Sequence, residues 1–321
     1  MALLESIVAG FQSNPGVRAK RSLQLVERVL GPSDWLHGPG DDAAVVEVGA
    51  ERIVVAGEAI FPPFVQSDPF GAGVAAVVTN VSDVAAMGAR PLALVDTVVG
   101  PESVAEEILA GMHHAASVYG LPVVGGHLTV TDDVAALSAF IVGRAGPRVL
   151  AATETRPGQT LLVAFCLEGE VRTDFPFLMS LDARGAELAG DVELLATLAD
   201  EGTCVAAKDI SMGGLLGSLA MLLEPTGAGV SVDVAGVPRP DAVSLERWLT
   251  VFPTYGFVLC VPTDRVQTCV DAFAGRGLAC SAVGVLDGSG RLRVRFEGRE
   301  AVLTDIQRDG LTRAAAKGQA R

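Results

Sequence analysis

Gly38-Pro39-Gly40-Asp41-Asp42-Ala43-Ala44-Val45-Val46 sets two adjacent carboxylates between a Pro/Gly turn and an apolar run rich in β-branched residues. Turn chemistry before the pair and strand chemistry after it place both acids at the entrance of a strand. Neighbouring side chains of a strand point to opposite faces, so one acid can cross the sheet edge while the other turns away. Two unpaired carboxylates side by side repel each other. Water, a basic partner or a divalent ion with hard oxygen ligands relieves the repulsion.

Downstream, residues 43–48 and 52–60 read as two strands, and their short Gly-Ala-Glu connection predicts a hairpin. Glu58 lies near the end of the second strand, which Pro62-Pro63 stops. Upstream, residues 1–12 and 22–30 read as helices, with Leu23, Val26 and Leu30 at helical spacing. The stretch between them, Gln12 to Arg21, reads as a loop carrying Arg18, Lys20 and Arg21. It is either a solvated helix start or a lid that brings one of these cations onto a phosphate.

A second acidic signal sits in the apolar segment from Asp68 to Gly88, a helix rich in small residues that permit close packing. Asn80 and Asp83 are three apart and share one of its faces. An acid in so apolar a helix is expensive to bury unless paired or liganded. Leu92–Val99 then reads as a strand and 102–119 as an amphipathic helix. Leu121–Val124 reads as a buried strand running into a turn, Gly125-Gly126-His127, whose glycines would let backbone approach a ligand. With Ala135–Arg144 as a further strand, the first half is ββαβαββ. Thr155-Arg156-Pro157-Gly158 marks the expected boundary between two domains, 1–154 and 155–321.

The second half alternates strand and helix again. Cys204–Ala207 reads as a buried strand that ends in Lys208-Asp209-Ile210-Ser211-Met212-Gly213-Gly214, followed by a helix over Leu215–Leu223. Free amides at that helix start, cleared by Gly213 and Gly214, would make an anion site, with Asp209 facing the same crevice. The alternative is a tight turn with Ser211 as helix cap. Strands are also expected at Leu161–Phe165, Gly229–Val234, Gly256–Val261, 278–286 and 291–296, and the last dozen residues are expected to fray.

The composition fits an α/β protein: half of the 321 residues are hydrophobic, 37 are glycine, and aromatics are few. A net charge of −14 argues against a nucleic-acid binder, which needs a basic face. It serves solubility, or pools carboxylates at a metal site. The five cysteines form no C-x-x-C pair and sit in apolar settings, as reduced core residues of a cytoplasmic protein do. Neither a signal peptide nor a membrane span is expected, since Asn80 and Asp83 interrupt the longest apolar run.

Gly40-Asp41-Asp42-Ala43-Ala44, then Asn80-Val81-Ser82-Asp83-Val84-Ala85-Ala86-Met87-Gly88-Ala89-Arg90-Pro91, then Gly125-Gly126-His127, then Asp209-Ile210-Ser211-Met212-Gly213-Gly214 follow one another as in the aminoimidazole ribonucleotide (AIR) synthetase superfamily. The chain resembles that family over roughly residues 20–300, and most of all its AIR-synthetase-related members. The resemblance implies an α/β (α+β) fold of two domains. The N-terminal sheet would form a shared β-barrel in a homodimer, and an α/β domain would follow. It also implies ATP in the cleft, held through Mg²⁺. Carried over by position, Asp41, Asp42 and Asp83 would bind Mg²⁺, with Glu58 as a substitute ligand, and Asp209 and Ser211 would sit near substrate or a further ion. Lys20 or Arg18 would close over the phosphates. Asn80, Gly125, Gly126, Gly213 and Gly214 would line the nucleotide site, and His127 would contact phosphate or act on a proton.

The sequence departs from the thiamine-monophosphate kinase pattern. Val55-Ala56-Gly57-Glu58 stands for Ser-Thr-Asp-Thr, and Met212 stands where that enzyme has Asp. No cysteine precedes Cys166, which disfavours selenophosphate synthesis. The expectation is an ATP-dependent phosphotransferase or synthetase acting on a small carbonyl- or phosphate-bearing metabolite. The alternatives are a non-catalytic nucleotide-binding or scaffold homologue, and a thiamine-monophosphate kinase.

Overall fold

The computed structural model describes residues 2–30 and 40–312. Gly38 and Pro39 of the opening turn, and the tail from Arg313 on, lie outside the described residues.

Five strands form the first sheet: β1 (Ala44–Val48), β2 (Glu51–Ala59), β3 (Ala89–Gly100), β4 (Val123–Val130) and β5 (Ala136–Ala145), in the order β1-β2-β5-β3-β4. β1 and β2 make the expected hairpin, with Val45 opposite Val54. Three helices precede the sheet: α1 (Ala2–Ser13), α2 (Pro15–Lys20) and α3 (Gln24–Leu30). The short α4 (Pro62–Ser67) leads into α5 (Pro69–Ala86), which lies on the inner face of the sheet beside α6 (Glu102–Tyr119). Glycine makes the α5–α6 contact possible. A Cβ on Gly73 would stand 2.1 Å from the Ile108 carbonyl oxygen, and one on Gly111 2.0 Å from that of Phe70. α5 reaches 18 residues and is long and apolar enough to cross a membrane, which the apolar runs alone do not suggest. It is 67 % buried within the protein, as a core helix is.

The second sheet has seven strands, ordered β15-β14-β10-β13-β6-β12-β9. In chain order, the strands of the second half are β6 (Thr160–Phe165), β7 (Glu170–Val171), β8 (Phe177–Met179), β9 (Ala206–Asp209), β10 (Gly229–Asp233), β11 (Phe252–Pro253), β12 (Gly256–Val261), β13 (Ala279–Asp287), β14 (Arg291–Phe296) and β15 (Arg299–Asp305). β11, β8 and β7 form a small separate sheet. The helices here are α7 (Leu181–Arg184), α8 (Glu187–Asp200), α9 (Gly214–Leu223), α10 (Leu245–Trp248), α11 (Val266–Ala274) and α12 (Ile306–Asp309). β6 and β12 are buried along their whole length, as strands covered on both faces are. Leu259 faces one apolar cluster with Leu195 and Phe273, while Val258 faces a second with Leu219 and Trp248. The first cluster runs on into α5 and the first sheet, so the two sheets share a core.

Several expectations are corrected. The stretch expected as a loop contains α2. Asn14 caps it, accepting from the N–H of Gly16 at 2.7 Å and of Val17 at 3.3 Å, with Pro15 in the first turn. The helix expected over 22–30 begins as a 3₁₀ turn at Arg21–Leu23 before α3. The strand expected to be buried at Leu121–Val124 is β4, which is exposed throughout and keeps Gly125 and Gly126 within the strand instead of a turn. It is an edge strand, so no neighbour covers one of its sides. β15 was not expected; it closes a hairpin with β14. The five cysteines are free thiols, four of them buried.

Candidate metal and nucleotide site

The turn of Asp41-Asp42 lies against the end of β9, and α5 packs on the same strand. Three segments far apart in sequence therefore converge. Asp42, Asp83 and Asp209 each offer a carboxylate oxygen, and these oxygens all lie within 4.8 Å of one another. Asp83 is 6 % exposed and Asp209 7 %.

Asp42 is the anchored member. Its Oδ2 accepts from the Asp209 N–H at 3.2 Å, an amide on the free edge of β9. Its Oδ1 takes an ion pair from the Lys208 ammonium, and both side chains are 3 % exposed. Burial pulls the Lys208 ammonium down, but Asp42, Asp209 and Asp41 outweigh it and hold it charged above the ordinary lysine range. Lys208 was not a candidate from sequence. The signal was a lysine inside an apolar strand, which cannot be buried without an acid beside it.

Asp83 and Asp209 differ from Asp42. Among the described residues neither carboxylate has a hydrogen bond or ion pair. Burial, and then the neighbouring charges of Asp209, Asp42 and Glu58, push Asp83 well above the carboxylate range. Burial and Asp42 push Asp209 up to about 7, against the pull of Lys208 and Lys20. Glu58 is also raised by burial, with Lys20 opposing it and Asp42 adding to it. Glu58 itself is exposed near the end of β2 and is not one of the three converging carboxylates.

The β2 register explains Glu58. Glu58 pairs with Ala139, a fully buried residue on the inner face, whereas Gly57 pairs with Phe140 on the outer face. A Cβ on Gly57 would lie 2.4 Å from the Phe140 ring. Gly57 is therefore not a vacated ligand position; Glu58 holds the inward place on this strand.

Asp41 faces elsewhere. Its Oδ2 accepts from the Ala152 N–H at 2.8 Å and its Oδ1 from the Asp42 N–H at 3.1 Å. It ties the turn to the connection between the sheets. Burial and Asp42 raise it to about 6, with Ala152 opposing. It does not join the three converging carboxylates.

Asn80 is fully buried; its Nδ2 donates to the Ala76 carbonyl at 2.8 Å, and its Oδ1 has no partner among the described residues. A buried amide oxygen without a donor is a standing cost, and it sits one turn ahead of Asp83 on the same helix face. The three carboxylates make a hard, all-oxygen donor set, which fits Mg²⁺.

The remaining candidates are placed as follows. Ser211 does not cap α9. Its N–H donates to Ser218 Oγ at 3.0 Å, its carbonyl accepts from Gly214, and Gly213 holds the cap position. α2 docks on this loop so closely that a Cβ on Gly16 would stand 2.1 Å from the Met212 carbonyl oxygen. Lys20 ends α2, and Arg18 turns back to the Gln12 carbonyl at 3.2 Å. Gly125, Gly126 and His127 lie on β4, which is separated from β2 by β5 and β3. At ordinary strand spacing that is roughly 14 Å from Glu58. His127 pairs with Thr97 and is exposed, so it does not reach the carboxylates of its own chain.

Comparison with known proteins adds an independent line. Residues 40–145 match the N-terminal domain, and residues 180–297 the C-terminal domain, of the AIR synthase related proteins. An uncharacterized protein of Synechocystis sp., sll0787, is 30 % identical over 318 residues, 97 % of this chain and 98 % of that one. A selenide, water dikinase of Carboxydothermus hydrogenoformans is 30 % identical over 258 residues, 74 % of each chain. Among solved structures, Thermotoga maritima PurL complexed with ATP superposes with a TM-score of 0.75 at 18 % identity, over 93 % of this chain. This chain spans about half of that one, 50 %.

Proposed function

The chain belongs to the AIR synthase related family, and from that premise we propose that it is a Mg²⁺- and ATP-dependent phosphotransferase or synthetase acting on a small metabolite. The observation that carries the reading is the convergence of Asp42, Asp83 and Asp209 within 4.8 Å. Phosphoryl transfer is mostly positioning and neutralisation of oxygen charge, which Mg²⁺ held by such a cluster supplies. Asp83 and Asp209, with Asn80 Oδ1, would hold the ion. The amides of Gly214 and Leu215 at the start of α9 are already given to the Ser211 and Leu249 carbonyls, so Lys20, at the end of α2, would supply the charge toward phosphate. The similarity to a selenide, water dikinase, and the likeness in fold to PurL complexed with ATP, support the nucleotide reading.

The working unit in this proposal is a homodimer in the cytoplasm, where the five free thiols stay reduced. The outer face of the first sheet exposes Phe140 (47 %), Val142 (40 %) and Val95 (39 %), and β4 adds exposed Val124. A second copy covering this face would remove a large apolar patch from water. It would also bring Gly125, Gly126 and His127 to a neighbouring site.

Isothermal titration with ATP tests the proposal. Binding is expected with Mg²⁺ and is lost in EDTA; equal binding in EDTA, or none in either, contradicts it. A second reading, a nucleotide binder without chemistry, draws support from exposed Met212 at a position where the kinase pattern has a carboxylate. ADP release on incubation with cell metabolites separates the two.

A further inference from the structure

We propose that the Lys208 ammonium is a built-in cation of the carboxylate cluster, standing where a further divalent ion would otherwise bind. This chain then takes its nucleotide with fewer metal ions than its acids could hold. The inference rests on the metal-site reading above and adds a residue and a stoichiometry to it.

The argument is one of asymmetry. Three carboxylates face one small volume, from Asp42, Asp83 and Asp209. Both oxygens of Asp42 are already engaged, one by Lys208 and one by the Asp209 N–H. Asp83 and Asp209 have no such partner among the described residues, and the partnerless Asn80 Oδ1 belongs to the same helix face as Asp83. The open donors thus gather on the Asp83 side, and the Asp42 side is closed by a fixed positive charge. Lys208 is held there by β9, a strand continuous with Asp209, and its side chain is 3 % exposed. It cannot leave for solvent without unpacking that strand. A divalent ion beside Asp42 would have to displace the ammonium or sit against it, and like charges at that distance repel strongly. An ion between Asp83 and Asp209 would meet two carboxylates that Lys208 does not pair with.

Mn²⁺ alone is the probe, with the full chain and no nucleotide, and free Mn²⁺ is read by electron paramagnetic resonance. Lys208→Met is expected to bind one more Mn²⁺ per chain than the unaltered protein, or to bind more than tenfold tighter, and Lys208→Arg to keep the original count. Lys208→Gln, which retains a donor toward Asp42 without charge, should behave as Lys208→Met. Unchanged count and affinity in both neutral variants overturns the inference while leaving the metal site itself intact. Binding to the neutral variants alone would sink the Mg²⁺ reading for the unaltered chain and uphold the role of Lys208. Binding to none of the proteins overturns both. If Lys208→Met is unfolded without metal, the inference requires millimolar Mn²⁺ to restore its fold, and failure to do so counts against it.

Discussion

The backbone N–H of Asp209 donates to Asp42 Oδ2 at 3.2 Å, across 167 positions of sequence. That bond ties the turn before the first sheet to the edge strand of the second. It gives the acids of the two halves a common pocket, with Asp83 delivered by α5.

Asp83→Asn removes a buried negative charge from this pocket. Mg²⁺-dependent ATP affinity should fall more than tenfold. In EDTA at pH 8 the variant should melt several degrees higher than the unaltered protein, because a repulsive charge is gone. Titration calorimetry and a thermal melt read the two effects. A variant that melts lower and binds ATP normally would make Asp83 a structural residue.

Asp41→Asn tests the other acid of the opening pair. Asp41 holds the N–H groups of Ala152 and Asp42, so the cost should appear as stability, about 1–3 kcal/mol in denaturant unfolding. Mn²⁺ affinity should change less than threefold. A tenfold loss of Mn²⁺ would place Asp41 among the ligands.

The pH dependence of the metal-free protein follows from the raised carboxyls. Asp41 is lifted to about 6 and Asp209 to about 7, and Asp83 and Glu58 move the same way. The folded state therefore binds more protons than the unfolded one between about pH 4 and pH 7, and stability falls as pH rises through that window. Melting temperature in EDTA should be higher at pH 5 than at pH 8, and Mg²⁺ should restore it most at pH 8. A flat or rising profile in EDTA would contradict the picture.

Phe140→Asp places a charge in the middle of the exposed outer face and touches none of the acids. Light scattering should find the unaltered chain dimeric and the variant monomeric. Equal masses for the two would contradict the proposed interface.

Much of this site was legible in the chain. Asp42 announced itself by its turn and strand, Asp83 by sitting in an apolar helix beside Asn80, and Asp209 by its place between a strand and a glycine turn. Asp41 and Asp42 sit in the bend before β1, and their roles diverge because one meets the Ala152 N–H and the other the Asp209 N–H, 167 positions away. Glu58 and Gly57 separate by strand alternation, and only the pairing with Ala139 and Phe140 decides between them. Lys208 was readable as a lysine in a buried strand, but its partner was not. The Asn14-Pro15 start of α2 carried cap and first-turn signals that the cluster of positive charges obscured. The exposure of β4 depends on strand order, which local sequence does not encode.

The most direct test is a crystal grown with Mn²⁺ and a non-hydrolysable ATP analogue, measured for anomalous scattering. The account predicts a peak at about 2.0–2.3 Å from carboxylate oxygens of both Asp83 and Asp209, in contact with the analogue's phosphates. Bound analogue with no peak at those two residues would contradict it.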